Sequence, residues 1–244
     1  MIKLRYLLIV LFLFCCNCLF AQSVPAWGGG ADQSDQSFGF TFSYISSYYK
    51  IDKNADWRKP FIDNEGTKVT DSLRSINSPN AQGFAVGFLS RYNITDHLEA
   101  RIAPSLIFAD RSLNYIYNTS SLNTIKSVQS TMIDIPISLK LKSDRLGDFR
   151  AYVMGGVKYS QNIGSRSNPN ANVAQLDKVI RNVSGFASYE VGIGCDIYFE
   201  FFKLSPEIKL SNSFGDVLLH ENSAFSNPIN RLSLHTLMFT LYFE

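Results

Sequence analysis

The run Phe186–Leu210, FASYEVGIGCDIYFEFFKLSPEIKL, alternates between apolar and polar residues in two arms that meet at one change of register. In the first arm Ala187, Tyr189, Val191, Ile193, Cys195, Ile197 and Phe199 share one parity, and Ser188, Glu190, Gly192, Gly194, Asp196 and Tyr198 the other. Beyond Glu200 and Phe201, the residues Phe202, Leu204, Pro206, Ile208 and Leu210 face away from Lys203, Ser205, Glu207, Lys209 and Ser211. A period of two is the mark of a strand with two unlike faces. Each arm exceeds the roughly five or six residues of a common globular strand. Each reaches the nine to eleven, approximately, that a tilted strand needs to cross a bilayer. One hairpin fits a soluble sandwich as well as a membrane barrel, so the connections must decide.

Outward from this hairpin the same pattern recurs. Strands are predicted near Ser37–Tyr49, at Gly83–Tyr92, from about Leu98, around Ile133–Leu141, at Arg150–Gln161, and in the closing run LHTLMFTLYFE. Pro104, Pro136 and Pro206 fall inside these strands, and local bulges are expected there because proline removes a ladder donor. The connections alternate in length: long at Lys50–Ala81, Asp110–Ser127, Asn162–Val183 and Asn212–Arg231, short at Asn93–His97, Ser143–Asp148 and Glu200–Phe201. Long loops on one side and tight turns on the other are the organisation of a bacterial outer-membrane barrel. The expected fold is all-β, an eight-stranded antiparallel transmembrane β-barrel with short periplasmic turns and long extracellular loops.

The chain begins MIKLRYLLIVLFLFCCNCLFAQ, with Lys3 and Arg5 before an apolar run and Ala21 before Gln22. This is the layout of a secretory signal peptide. The domain reading is therefore 1–21 signal peptide, 22–36 flexible periplasmic leader rich in Gly, Ser, Asp and Gln, and 37–244 barrel in the cell outer membrane. Cys15, Cys16 and Cys18 fall in the signal, which leaves Cys195 alone and excludes an internal disulfide or a paired-cysteine metal site. A net charge of +2 gives no basic field for nucleic acid.

An eight-stranded barrel is only wide enough for its own side chains. Glu99, Arg101, Asp134, Lys140, Lys158, Glu190, Asp196, Lys203, Glu207 and Lys209 all fall on the inward parity, and charges so enclosed must pair. A structural salt-bridge plug is the expectation. The first long connection carries Trp57, Arg58, Phe61 and Ile62, a candidate partner-facing loop, since aromatics and arginine favour interfaces. Of the three histidines, His97, His220 and His235, no pair has the spacing of a metal motif. His220 lies near Ser213, Asp216 and Glu221, from which a surface acyl-transfer site can be imagined. Gly192-Ile193-Gly194 and Gly155-Gly156 lie within strands, so they read as packing devices and not as phosphate loops.

Several stretches taken together resemble one family: FGFTFSYISSYYKI, RIAPSLIFADRSLNYIY, STMIDIPISLKLKS, RAYVMGGVKYSQNI and SYEVGIGCDIYFEFFKLSPEIKLS. The chain resembles the PorT family of outer-membrane β-barrels of the type IX secretion system and gliding-motility machinery. The likeness runs from about Phe38 to Phe214 and is least in the first long loop and after Asn212. It implies a non-enzymatic component needed to export cargo bearing C-terminal signal domains, beside a separate, larger conduit. It carries no catalytic residues, cofactor or metal. The partners it implies are outer-membrane lipids and other type IX secretion components, with no nucleic acid and no small-molecule substrate. The alternatives are a small barrel enzyme acting on lipid or surface substrates through the His220 loop, an adhesin or receptor barrel, and a small pore.

Overall fold

The computed structural model describes residues 34–163 and 173–244. The predicted signal peptide and nearly all of the leader lie outside the described residues, as does part of the connection after Asn162.

The described chain forms ten strands: β1 (Gln36–Lys53), β2 (Leu73–Asn77), β3 (Ala81–Asn93), β4 (Leu98–Ile102), β5 (Ser105–Tyr117), β6 (Thr124–Lys142), β7 (Phe149–Asn162), β8 (Gly185–Tyr198), β9 (Lys203–Ser213) and β10 (Ile229–Phe243). All pairings are antiparallel. From β10 the sheet passes through β9, β8, β7 and β6, then β4 and β5, to β3. β1 is bonded to β10 on one side and to β3 on the other, so the strands run most of the way round a ring.

The strand predicted from Leu98 is two elements, parted at Ala103 and Pro104. Register is kept across the gap: Ile102 faces Ile137 in β6 and Ser105 faces Asp134. The bulges expected at Pro104, Pro136 and Pro206 do not occur. Register shifts fall instead at Asp52/Lys53 and at Leu73/Ser75. Proline is accommodated by leaving ladder positions empty, as between Gly194↔Glu207 and Ile197↔Leu204 around Pro206. An inserted residue would turn every side chain beyond it to the wrong face, which costs more than one missing bond.

Two predicted connections are also corrected. Asp110–Ser127 is mostly strand, with β5 running to Tyr117, β6 beginning at Thr124, and a 3-10 turn at Ser120–Leu122 between them. Here the pattern inverts, because Leu113, Tyr115 and Tyr117 are buried while Asp110 and Asn118 are exposed. Polar residues outside and apolar ones inside suit a strand that has risen above the lipid. The connection Lys50–Ala81 contains β2, which lies beside β5 with Ile76 opposite Tyr115, in line with β3, whose Ala85 lies opposite Ile107.

The outward face is apolar to a degree that no water-soluble surface sustains. Phe88 is 75% exposed and Ile193 63%, and Phe40, Ile137, Leu139, Val191, Ile208 and Leu210 are exposed with them. The interior has two halves. One holds the charged side chains of β3, β4 and β6–β9. The other is an apolar cluster in which Ile45, Ile107 and Leu113 of the strands meet Leu73, Ile180, Val217, Leu218 and Phe225, most of them from the long connections. The connections are pinned by polar contacts: Tyr115 Oη donates to the Phe225 carbonyl at 2.7 Å, and Asn182 Nδ2 to Tyr49 Oη at 2.7 Å.

Candidate functional site

The inward charges are set by strand register, which puts Glu99 of β4 opposite Lys140 of β6. Arg101 Nε donates to Glu99 Oε1 at 2.5 Å, and Arg101 Nη1 reaches Glu207 Oε2 at 3.3 Å. Lys140 Nζ stands 2.7 Å from both oxygens of Asp196, and Ser205 Oγ donates to Asp196 Oδ1 at 2.6 Å. Lys203 pairs with Glu244 at 2.9 Å, and Arg91 pairs with the same carboxylate. Lys209 donates to Tyr242 Oη at 3.0 Å, and that hydroxyl donates to Glu207 Oε1 at 2.9 Å. Higher along the strands, Lys158 pairs with Asp134 at 2.8 Å and with Glu190 at 3.3 Å.

All ten inward residues singled out above are buried, seven in the larger group and Asp134, Lys158 and Glu190 in the smaller. The larger group also contains Arg91, Lys142, Tyr152, Tyr242 and Glu244, which the sequence reading did not select. Parity carried the signal for each, since Arg91, Lys142 and Tyr152 lie on the polar face of their strands, and Glu244 follows Thr240 and Tyr242. The Tyr152 ring is a platform for two cations, with Lys140 Nζ 3.8 Å and Arg101 Cζ 5.2 Å from its centroid. Gly194 makes room for that ring, because a Cβ there would lie 2.5 Å from Tyr152 Cζ. Charges removed from water on this scale are compensated by one another. Among the described residues no group of three or more His, Cys, Asp or Glu is arranged to hold a metal ion.

At the opposite rim the first long connection folds back on the apolar cluster. Trp57 is half-buried against it, and its ring is approached by Lys53 Nζ at 4.2 Å and Arg58 Cζ at 4.9 Å. The Phe61 N–H donates to Thr70 Oγ1 at 3.1 Å, and its carbonyl accepts from Val69 N at 2.9 Å. Ile62 is exposed and bridges to Lys68. Trp57 and Arg58 are thus in contact, while Phe61 and Ile62 line, with Trp57, a cleft of about 520 Å³ closed by Ala224 and Pro228. A second cleft of about 480 Å³ is lined by Arg58, Lys59, Ser72, Arg74 and Asn118.

His220 Nε2 lies 2.7 Å from Asp216 Oδ2. Asp216 Oδ1 accepts from the backbone N–H of Leu218 and of Leu232, each at 2.9 Å. Burial pushes the Asp216 carboxyl up, but the two backbone donors and His220 outweigh it and hold the group below its ordinary value. Ser213 Oγ is occupied elsewhere, bonded to Leu234 N at 2.9 Å and the Gly215 carbonyl at 3.4 Å, and Glu221 pairs with Arg181 at 2.9 Å. The residues that suggested acyl transfer are therefore not brought together as a nucleophile and its base. His97 pairs with Asp144 at 3.0 Å between two short turns, and His235 stacks on Tyr48 at 5.4 Å.

A family model described as outer membrane protein beta-barrel domain matches residues 20–219. No curated protein matches the chain by sequence. Among solved structures, Neisserial surface protein A aligns at 11% identity over 86% of this chain and 98% of its own, with a TM-score of 0.43. The outer membrane protein OprG from Pseudomonas aeruginosa aligns at 14% identity over 86% and 96%, with a TM-score of 0.41. The outer membrane protease OmpT from Escherichia coli aligns at 9% identity over 91% and 98%, also with a TM-score of 0.41.

Proposed function

Because the chain belongs to the outer membrane protein β-barrel family and resides in the outer membrane, we propose that it is a closed barrel of eight staves serving as a non-enzymatic accessory of type IX protein secretion. The count follows if β4 and β5 are one stave and β2 is the upward continuation of β3. The short turns then face the periplasm and the long connections the exterior. In this reading the protein supports export of cargo with C-terminal signal domains, and with it gliding motility, through contacts with other secretion components.

The observation that carries the proposal is the filled lumen. Lys140–Asp196 and Arg101–Glu99 occupy one half and the apolar cluster around Leu113 and Phe225 the other, which supports action through contact surfaces over passage of a solute. The likeness of FGFTFSYISSYYKI, STMIDIPISLKLKS and SYEVGIGCDIYFEFFKLSPEIKLS to the PorT family supplies the secretion role. Deleting the gene should trap signal-domain cargo in the cell while leaving the rest of the outer membrane unchanged, and a plasmid copy should restore the supernatant. An unaltered supernatant would end the secretion reading and leave a receptor or adhesin barrel in its place.

A further inference from the structure

The two rim clefts share a wall, since Lys59, Pro60 and Leu73 line both. On one side of that wall stand Arg58, Lys59 and Arg74, with the Ser72 hydroxyl and Asn118 amide beside them. On the other stand the aromatic and apolar groups of Trp57, Phe61, Ile62 and Pro228, with the Asp56 carboxylate and the Asn54 and Asn227 amides among them. No carboxylate lines the basic side. The nearest acids are already committed. Asp56 pairs with Lys59 at 2.9 Å, which leaves the uncompensated charge on the two arginines. Asp71 is held by Thr119 at 2.8 Å and by Lys68 at 3.2 Å.

Both arginines are placed by the fold. Arg58 lies over the Trp57 ring, and its carbonyl accepts from the N–H of Leu73 at 3.2 Å. Arg74 is the residue passed over at the register shift between Leu73↔Tyr117 and Ser75↔Ile116, so it sits between two paired positions of β2 and β5. Arg74 makes no salt bridge among the described residues, and its side chain is exposed at the cleft. A planar guanidinium offers paired donors that match a phosphate or carboxylate. Each cleft has the size of a small-molecule site, approximately 300–1,000 Å³.

We infer that this bipartite groove binds an anionic saccharide, its phosphate or carboxylate held between Arg58 and Arg74 and its ring laid against the aromatic side. Sugar and anion together explain why the basic and aromatic halves adjoin. The inference rests on the outward placement of the long connections and not on the secretion role, so a normal supernatant after deletion leaves it standing.

The test uses the full protein in detergent micelles. Calorimetric titration with glucose 1-phosphate, set against glucose, measures the soluble form of the ligand. Mixed micelles carrying lipopolysaccharide, set against micelles carrying an uncharged glycolipid, measure the lipid-borne one. Wild type should bind at least one phosphorylated probe and neither uncharged control, and its affinity should fall as salt rises from about 50 mM to about 500 mM. R58A/R74A should bind roughly tenfold more weakly or worse, with R58K/R74K between the two, provided unboiled gel mobility shows each barrel folded. Binding confined to lipopolysaccharide identifies a membrane headgroup as the source, and binding of glucose 1-phosphate identifies a free solute. No binding of either phosphorylated probe, equal binding of the uncharged controls, or an unaffected double variant overturns the assignment.

Discussion

Lys140 touches both oxygens of Asp196 and the face of Tyr152 in a part of the lumen that water does not reach. Replacing it by alanine leaves a buried carboxylate without its cation, a change that costs about 3–5 kcal/mol. K140A should lower the urea midpoint read by gel mobility accordingly, whereas K140M/D196L, which removes both charges, should recover most of the loss. At the rim, Asp216 has a folded-state value below its unfolded value of about 3.9. Its contribution is therefore complete above that pH and is lost as pH falls through the depressed folded value. The protection of the Leu218 and Leu232 amides, taken against the intrinsic exchange rate at each pH, should fall as pH drops below about 4. D216N should show reduced protection at these two amides that no longer varies with pH, because its amide accepts those bonds less strongly than a carboxylate.

Strands register the difference between what sequence patterning can and cannot convey. In β6 the alternation of Ile133, Ile135, Ile137 and Leu139 with Asp134, Ser138 and Lys140 is legible without a structure, because lipid and lumen impose opposite chemistry. Above the lipid that contrast vanishes, and Leu113, Tyr115 and Tyr117 turn inward while polar groups face water, so the same strand β5 reads as a loop. β2 was illegible for a different reason, since five residues are too few for a period to stand out. The rim clefts could be read only in part, because Trp57, Arg58, Phe61 and Ile62 stand close in sequence whereas Arg74 and Pro228 come to the two clefts only through folding. Gly194 belongs to this scale too, since β8 must pass close to the Tyr152 ring of β7. G194V should displace that ring from Lys140 and Arg101 and destabilise the barrel by about 1–3 kcal/mol, visible as an earlier urea midpoint, whereas G155A, where nothing lies within 4 Å of a new Cβ, should be near neutral.

For the molecule as a whole, a layer of paired charges lies beneath an apolar layer, and among the described residues both fill the interior with side chains. Planar bilayers containing the purified protein should show no steady single-channel conductance, and regular openings would contradict the filled lumen. The seam between β1 and β10 bears on how the molecule comes to exist. Phe40 meets Phe243 and Tyr48 meets His235, so the ladder that joins them links opposite ends of the described chain. Contacts so remote in sequence carry the largest loop-closure cost and form late. Until they do, β1 and β10 each present an unsatisfied row of backbone groups, a state that invites pairing with any other open strand. The newly exported polypeptide is thus sticky for as long as its two distant strands have not found each other, and its survival is decided by a race between joining itself and joining a neighbour.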